Sequence, residues 1–230
     1  MTQAPATPPS TPPTTPPGPR PARRSRLVPA GLVALSLVPV VAGTLRLSEL
    51  SGLALVGPDV LPDDTHLAAA PLVVHIVGAS VYTVLGAFQF GGRRPPARHR
   101  LMGRILLPCG LAAALSGLWL TVFYPRRPVD VELLTVLRIG FGSAMAAALL
   151  LGLAAVLRRD HRAHRAWMTR GYALGLGAGS QAVIVSLWAA VAGQPAGNTR
   201  ALLLGAGWAV NLAVAEWLIR RRRARRAVSA

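Results

Sequence analysis

Six stretches of mostly apolar residues alternate along this chain with short segments that carry nearly all of its charge. A helix needs about 20 such residues to cross roughly 30 Å of hydrocarbon, and it satisfies its own backbone hydrogen bonds there. The pattern therefore predicts an all-α fold, a polytopic membrane bundle of about six transmembrane helices. The predicted spans are residues 27–45, 67–91, 101–123, 133–157, 171–192 and 201–219.

The segments before and after these spans have distinct compositions. Residues 1–26 join a Pro/Thr-rich stretch to an arginine cluster, which predicts a disordered tail because the stretch has no residues with which to build a core. Arginines ahead of an apolar run are also typical of a signal peptide. The long preceding segment and the lack of an A-x-A site favour a retained first helix, although Pro29 and Pro39 interrupt it. Residues 220–230 form a basic tail.

The distribution of charge predicts an orientation in the membrane. The formal net charge is +17, and all 25 basic residues are arginines. Twenty of these arginines lie at one end of the predicted spans. The positive-inside rule places that end, with both termini, on the cytoplasmic side of a bacterial inner membrane. A basic chain can also bind nucleic acid, but arginines at the ends of apolar spans favour the lipid bilayer as the partner and argue against nucleic acid.

One face of the second span carries five polar or small residues: His75, Gly78, Tyr82, Gly86 and Gln89. At about 100° per residue they fall within roughly 80° of one another. We expect this stripe to face the bundle interior, because polar groups are costly against lipid. Two interpretations remain open. Either the stripe binds a cofactor or quinone, with His75 as ligand or proton carrier, or its side chains form interhelical hydrogen bonds and its glycines are packing notches.

A charged side chain within the fourth span adds to this picture. Counted from the same end of the bundle, Arg138 lies at about the depth of His75 in the second span. An arginine there needs a partner, water or access to the headgroups. It either reaches the headgroups or pairs with Glu132, or it faces His75, where a bound anion such as a carboxylate or a haem propionate would satisfy it.

A basic motif, two arginines followed by a His-Arg pair, precedes the third span and recurs before the fifth. Its histidines are His99 and His164, which are 65 residues apart. Two histidines at one end of a bundle can ligate the iron of a haem b, and the nearby Arg104 and Arg170 would suit its propionates. The alternative is a pair of interfacial His-Arg anchors that contact lipid phosphates.

Other chemistry is sparsely represented. The single cysteine, Cys109, lies inside an apolar span, which excludes a disulfide within the chain and indicates a packing role. Glu216 stands four residues before Arg220, a spacing typical of an ion pair along a helix. The sequence has no glycine-rich phosphate loop, nucleophile elbow or C-x-x-C motif, so whether the chain is an enzyme stays open.

Three motifs occur together within residues 67–190. They are H-x-x-G-x-x-x-Y-x-x-x-G-x-F-Q-F from His75, R-R…H-R-x-x-G-R from Arg93, and R…D-x-x-x-H-R-x-W-M-x-R-x-Y-A-L from Arg158. The combination resembles a family of bacterial membrane proteins catalogued as the DUF2306 family. The resemblance implies a multispan bundle but no reaction, because that family has no assigned function. It marks as motif positions His75, Tyr82, Gln89, His99, Arg104, His164 and Arg170.

The leading functional hypothesis is a small membrane redox protein that associates with haem or quinone. In this hypothesis His99 and His164 bind the haem iron, while His75 and Tyr82 line a second site for haem or quinone. The first alternative is a non-catalytic membrane partner or assembly factor that docks another protein's helix on the stripe. The second is a small transporter built from the weak repeat of the His-Arg motif.

Overall fold

The computed structural model describes residues 24–51, 65–90, 95–124 and 131–227, and these ranges contain helices and no strand. A short 3-10 turn, Phe88–Phe90, follows the second helix. The predicted disordered tail lies outside the described residues up to residue 23, and its last three residues begin the first helix. The helices are α1 Arg24–Leu50, α2 Thr65–Ala87, α3 Pro96–Phe123, α4 Glu132–Leu157, α5 His161–Gly175, α6 Gly177–Ala192 and α7 Gly197–Ala227.

The helices have the length and composition of membrane spans. Five of those described, α1 to α4 and α7, are long and apolar enough to cross a bilayer, and α5 and α6 form a sixth span if this pair, bent by 43°, is counted as one. The predicted polytopic bundle of about six spans is thus confirmed. α1 continues through Pro29 and Pro39 and packs against α2 and α6, so it is part of the bundle.

The fifth span begins earlier than its hydropathy indicates. Residues 158–170 were predicted to be a loop, but α5 starts at His161. The Asp160 carboxylate accepts hydrogen bonds from the backbone N–H groups of Arg162 and Ala163, at 3.0 and 2.9 Å, which caps the helix. The first half of α5 is basic. A prediction based on apolar stretches therefore does not identify it as part of a membrane helix.

The same span is broken between Gly175 and Gly177. A break inside a membrane bundle leaves backbone carbonyls that need partners from the protein. Asn211 of α7 supplies one, since its Nδ2 donates to the Ala173 carbonyl at 3.1 Å. Its Oδ1 accepts from the Ser180 hydroxyl at 2.7 Å, so one side chain contacts both halves of the span.

The helices form a closed bundle. In the order α1, α2, α3, α4, α7, α6, each packs against the next and α6 returns to α1, while α5 packs chiefly against α4 and α7. Tyr82, Leu149 and Tyr172 lie at the centre of the buried core. Large apolar side chains such as Leu157 and Val191 are exposed on the outside, where lipid would cover them.

Candidate functional site

The interior-facing orientation predicted for the α2 stripe is confirmed, beginning with His75. Its Nδ1 lies 2.8 Å from the Ala113 carbonyl oxygen on α3. Because a carbonyl only accepts, Nδ1 carries the hydrogen, and in the neutral ring Nε2 remains an acceptor. Gly117 lies against the ring, and a Cβ added there would stand 2.9 Å from the imidazole Cε1. α3 therefore determines both the tautomer and the position of this side chain.

Further along the stripe, Tyr82 packs against Tyr172 of α5 at the centre of the bundle. The rings of Tyr82 and Tyr172 lie 5.8 Å apart between centroids and are tilted by 57°. The Tyr172 hydroxyl donates to the Thr83 carbonyl at 2.7 Å, which ties α5 to α2. Gly86 faces the Tyr172 ring and Gly110 faces the Tyr82 ring, so each aromatic ring occupies space left by a missing side chain. This part of the stripe is a packing interface.

A cavity of about 660 Å³ opens between the helices next to this core. All seven of the described helices contribute to its lining, and its volume lies within the roughly 300–1,000 Å³ of small-molecule sites. Most of the lining is apolar, as in Leu72 and Met145. Its neutral polar side chains are those of His75, Tyr82, Thr83, Thr121, Tyr124, Thr135, Gln181 and Trp208.

Three arginines also line the cavity: Arg46 of α1, Arg138 of α4 and Arg200 of α7. Each is half-buried, and none of the described lining residues is acidic. Arg46 donates from Nη1 to Glu49 Oε2 at 2.9 Å. Arg138 and His75 line the same cavity, as expected if Arg138 faces the bundle interior. The cavity therefore combines apolar walls, an imidazole acceptor and guanidinium donors.

The two motif histidines occupy equivalent places in their helices. His99 and His164 are each the fourth residue, in α3 and in α5. The His99 Nδ1 lies 2.7 Å from Gln89 Oε1, and the His164 Nδ1 lies 2.8 Å from the Gly152 carbonyl oxygen. Each histidine thus contacts the helical segment that precedes its own helix, which gives the sequence repeat a structural counterpart. The Gln89 Nε2 is buried without a hydrogen-bond partner in the described part of the chain.

The two motif arginines differ from each other. Arg104 is exposed on α3. Arg170 donates from Nη2 to Glu216 Oε2 at 3.0 Å and from Nε to Glu216 Oε1, and its guanidinium lies 4.6 Å from the centroid of the Trp167 ring. Glu216 was expected to pair with Arg220 along α7. It pairs with Arg170 because α5 packs beside α7.

The structure divides the predicted site residues among several places. His75 and Tyr82 share the cavity, whereas Gln89 lies with His99 at the end of α2. His99 and His164 are held by different neighbours, and α4 packs against both of their helices. Among the described residues, no group of three or more His, Cys, Asp or Glu is arranged to hold a metal ion. A haem with two histidine ligands needs no such group.

Two polar residues of the bundle interior were not among the predicted site residues. Gln181 lines the cavity and donates from Nε2 to the Leu204 carbonyl at 2.9 Å, and Asn211 bridges the broken span. Both are amides inside apolar spans. An amide within an apolar span predicts a contact inside the bundle, since it needs hydrogen-bond partners from the protein.

Fold and cavity together define a polytopic, all-helical membrane protein. A family model described as "Predicted membrane protein (DUF2306)" matches residues 72–219. The chain therefore belongs to the DUF2306 family, and the match extends beyond residues 67–190 into α7. No curated protein and no solved structure matches this chain.

Proposed function

We propose that this protein is a membrane redox protein that binds a quinone or quinol in the cavity, with His75 as the hydrogen-bond acceptor for a ring hydroxyl of the quinol. The single observation that carries the proposal is the orientation of His75. Its Nδ1–H is held by the Ala113 carbonyl at 2.8 Å, and its ring lines the cavity. In the neutral imidazole the nitrogen without a hydrogen accepts a hydrogen bond from such a hydroxyl.

The rest of the cavity lining suits a lipid-soluble ligand that consists of an apolar ring with polar groups at its edges. A quinone has oxygens on opposite sides of a flat apolar ring, and these oxygens accept hydrogen bonds. The guanidinium groups of Arg138 and Arg200 are donors, and the walls between them and His75 are mostly apolar. A ligand of this kind reaches the cavity through the bilayer.

The distribution of arginines supports an assignment of the side of the membrane on which the cavity opens. Arg46, Arg138 and Arg200 belong to the ends of α1, α4 and α7 that lie away from the arginine-rich segments. By the positive-inside rule the arginine-rich end faces the cytoplasm of a bacterial inner membrane. The cavity would then open towards the outer leaflet.

Binding of a short-chain quinone analogue to the protein in lipid nanodiscs tests the proposal. Trp208 lines the cavity, so quenching of tryptophan fluorescence reports binding. The informative variant is His75→Asn, because an asparagine Nδ2 is as many bonds from the backbone as the histidine Nδ1. It keeps a donor for the Ala113 carbonyl and removes Nε2. The matched control is His161→Asn at an exposed position of α5.

We expect saturable binding by the wild type and by His161→Asn, and an affinity about tenfold lower in His75→Asn, the effect of losing one hydrogen bond to the ligand. Absence of saturable binding by the wild type would overturn the proposal. Equal affinity in His75→Asn would remove His75 from the binding site.

A haem b is a second candidate, and one observation favours it. The Nδ1 atoms of His99 and His164 each lie within hydrogen-bond distance of an oxygen atom, at 2.7 and 2.8 Å. Metal-ligating histidines commonly make this contact and bind the metal through the other nitrogen. The two histidines fit a haem only in part, because their rings have different hydrogen-bond partners and no shared residue among those described holds them together. A bound haem would supply electron transfer, and the exposed Arg104 would suit a propionate.

An optical spectrum tests the haem candidate. The protein is purified after haem supplementation, and a reduced-minus-oxidised spectrum is recorded. Soret and alpha bands that disappear in both His99→Asn and His164→Asn, but persist in His161→Asn, would support ligation. A wild-type spectrum without these bands would overturn it.

A further inference from the structure

Gln181 of α6 is held by a neighbouring helix in the same way as His75 of α2. The Gln181 Nε2 donates to the Leu204 carbonyl of α7 at 2.9 Å. The His75 Nδ1 donates likewise to the Ala113 carbonyl of α3, at 2.8 Å. Because a carbonyl only accepts, each contact requires a donor nitrogen and leaves the other polar atom of the side chain as an acceptor. These acceptors are Nε2 in His75 and Oε1 in Gln181, and both side chains line the cavity.

The Gln181 Oε1 is available to a ligand. Among the described residues it accepts no hydrogen bond, and it is not fully enclosed by protein. An amide oxygen within an apolar membrane bundle is stabilised when a donor reaches it. A hydroxyl group of a ligand in the cavity would be such a donor.

Contacts between neighbouring helices connect His75 to Gln181 around the cavity. The first contact joins α2 to α3, where a Cβ added at Gly117 would stand 2.9 Å from the His75 ring. The next joins α3 to α4, where a Cβ added at Gly142 would stand 2.9 Å from the Leu118 Cδ2. Gly117 and Leu118 are adjacent in sequence, so the path shifts by only about 1.5 Å along α3.

The path continues from α4 through α7 to α6. Phe141 of α4 stacks on Trp208 of α7, with the ring centroids 5.1 Å apart. A Cβ added at Gly207 of α7 would stand 2.6 Å from the Gln181 Cγ. Each helix is again crossed by a step of one residue. His75 and Gln181 therefore lie at a similar depth in the bundle, on separate walls of the cavity.

The space between these walls suits a flat ring. α1 lies between α2 and α6 and packs against both. Directly packed helices have axes about 8–10 Å apart, so α2 and α6, with a third helix between them, leave room for a ligand. The stacked rings of Phe141 and Trp208 also line the cavity, and they provide an aromatic surface against which an apolar ring can pack.

We propose that Gln181 is a second residue that contacts the ligand, and that the ligand is the reduced form, a quinol. One ring hydroxyl donates to the His75 Nε2 and the other donates to the Gln181 Oε1. This inference rests on the proposed function and specifies the redox form that the cavity binds. The oxygens of a quinone only accept, so they cannot pair with these two acceptors. The cavity arginines can donate to the oxygens of either form.

The test measures the binding of two probes to the full chain in lipid nanodiscs. The probes are a symmetric methylated para-quinol, kept reduced under argon, and its mono-O-methyl ether, which has one hydroxyl fewer. Isothermal titration calorimetry gives the affinities, with empty nanodiscs as the blank. The variant is Gln181→Met, which is unbranched and removes the amide. The matched control is Gln194→Met, the same substitution at an exposed position between α6 and α7.

We expect the wild type to bind the quinol about tenfold more tightly than the ether, since the ether loses one hydrogen bond. Gln181→Met should bind the two probes about equally, at the affinity of the wild type for the ether, and Gln194→Met should keep the wild-type ratio. Thermal melting without probe verifies that each variant is folded, and the comparison of probes on the wild type needs no variant.

The outcomes separate this inference from the proposed function. Equal affinity of the wild type for quinol and ether would overturn the second contact and leave the site at His75 in place. A wild-type ratio in Gln181→Met would exclude Gln181 as that contact. Binding of the corresponding quinone as tightly as the quinol would overturn the preference for the reduced form. No binding of any of these probes by the wild type would overturn the proposed function itself.

Discussion

Arg170 and Glu216 join α5 to α7 through two hydrogen bonds, one from Nε and one from Nη2 of the same guanidinium. The side chains are 21% and 30% exposed, and Trp167 lies beside the guanidinium. Arg170 is one of the motif positions of the family resemblance. Its contact gives that position a structural explanation, since it connects the broken span to the last helix.

Replacing Arg170 should therefore lower stability. Arg170→Gln leaves Glu216 without its partner, and we expect a loss of about 1 to 2 kcal/mol, because the two side chains are partly exposed. Arg170→Lys should lie between this variant and the wild type, since an ammonium cannot form both bonds in the same geometry. Thermal melting in detergent measures the difference. Arg165→Lys, at an exposed position, is the control, and equal melting of all four proteins would contradict the prediction.

The close approach of Gly86 to the Tyr172 ring should not tolerate a side chain. In Gly86→Ala the added Cβ would overlap the ring, and Tyr172 would move away from the Thr83 carbonyl. We expect a destabilisation of about 1 to 3 kcal/mol. Gly140→Ala is the matched control because an added Cβ there meets nothing within 4 Å. It should be neutral or slightly stabilising, so comparable melting losses in both variants would count against the packing argument.

His164 allows its structural contact to be separated from a role as ligand. His164→Asn keeps a donor at the position of Nδ1 for the Gly152 carbonyl, whereas His164→Leu removes it. If the contact is structural, the leucine variant should lose about 1 kcal/mol and the asparagine variant clearly less. Chemical unfolding of the detergent-purified protein measures both. Equal losses in the two variants would indicate that Nε2 is the atom that matters.

Asn211 should be required for the broken span. Asn211→Leu removes the donor for the Ala173 carbonyl and the acceptor for the Ser180 hydroxyl, and we expect a loss of about 1 to 2 kcal/mol, because two hydrogen bonds within the membrane are lost together. Ser180→Ala alone should cost less. The double variant should cost less than the sum of the singles, because both remove the same hydrogen bond. Strict additivity in a melting experiment would argue against this coupling.

The orientation inferred from the arginines can be measured with reporter fusions. A fluorescent protein fused after Ala227 should fold in the cytoplasm, and alkaline phosphatase inserted after Gly193, between α6 and α7, should be active outside it. Both expectations follow from the location of the arginine-rich segments at one end of the spans. Reporter activities of the opposite sense would show that the bundle has the opposite orientation in the membrane and that the cavity opens on the other side.

The sequence alone determined the class of fold, a polytopic bundle of about six spans, and the inward orientation of the α2 stripe. These properties follow from local information. Hydropathy over about 20 residues determines whether a segment can cross a bilayer, and helical spacing places residues such as His75 and Tyr82 on one face. The family resemblance is of the same kind, since its motifs are read along the chain.

Only the tertiary structure decided which side chains meet. The nearest arginine in sequence, Arg220, was a reasonable partner for Glu216, yet the actual partner is 46 residues away because α5 and α7 pack together. The cavity has the same origin, since it draws its lining from all seven of the described helices, with Arg138, Arg200 and His75 among the lining residues. Such contacts depend on which helices are neighbours and at what depth, and an apolar helix surface leaves many such arrangements open until the whole bundle is packed.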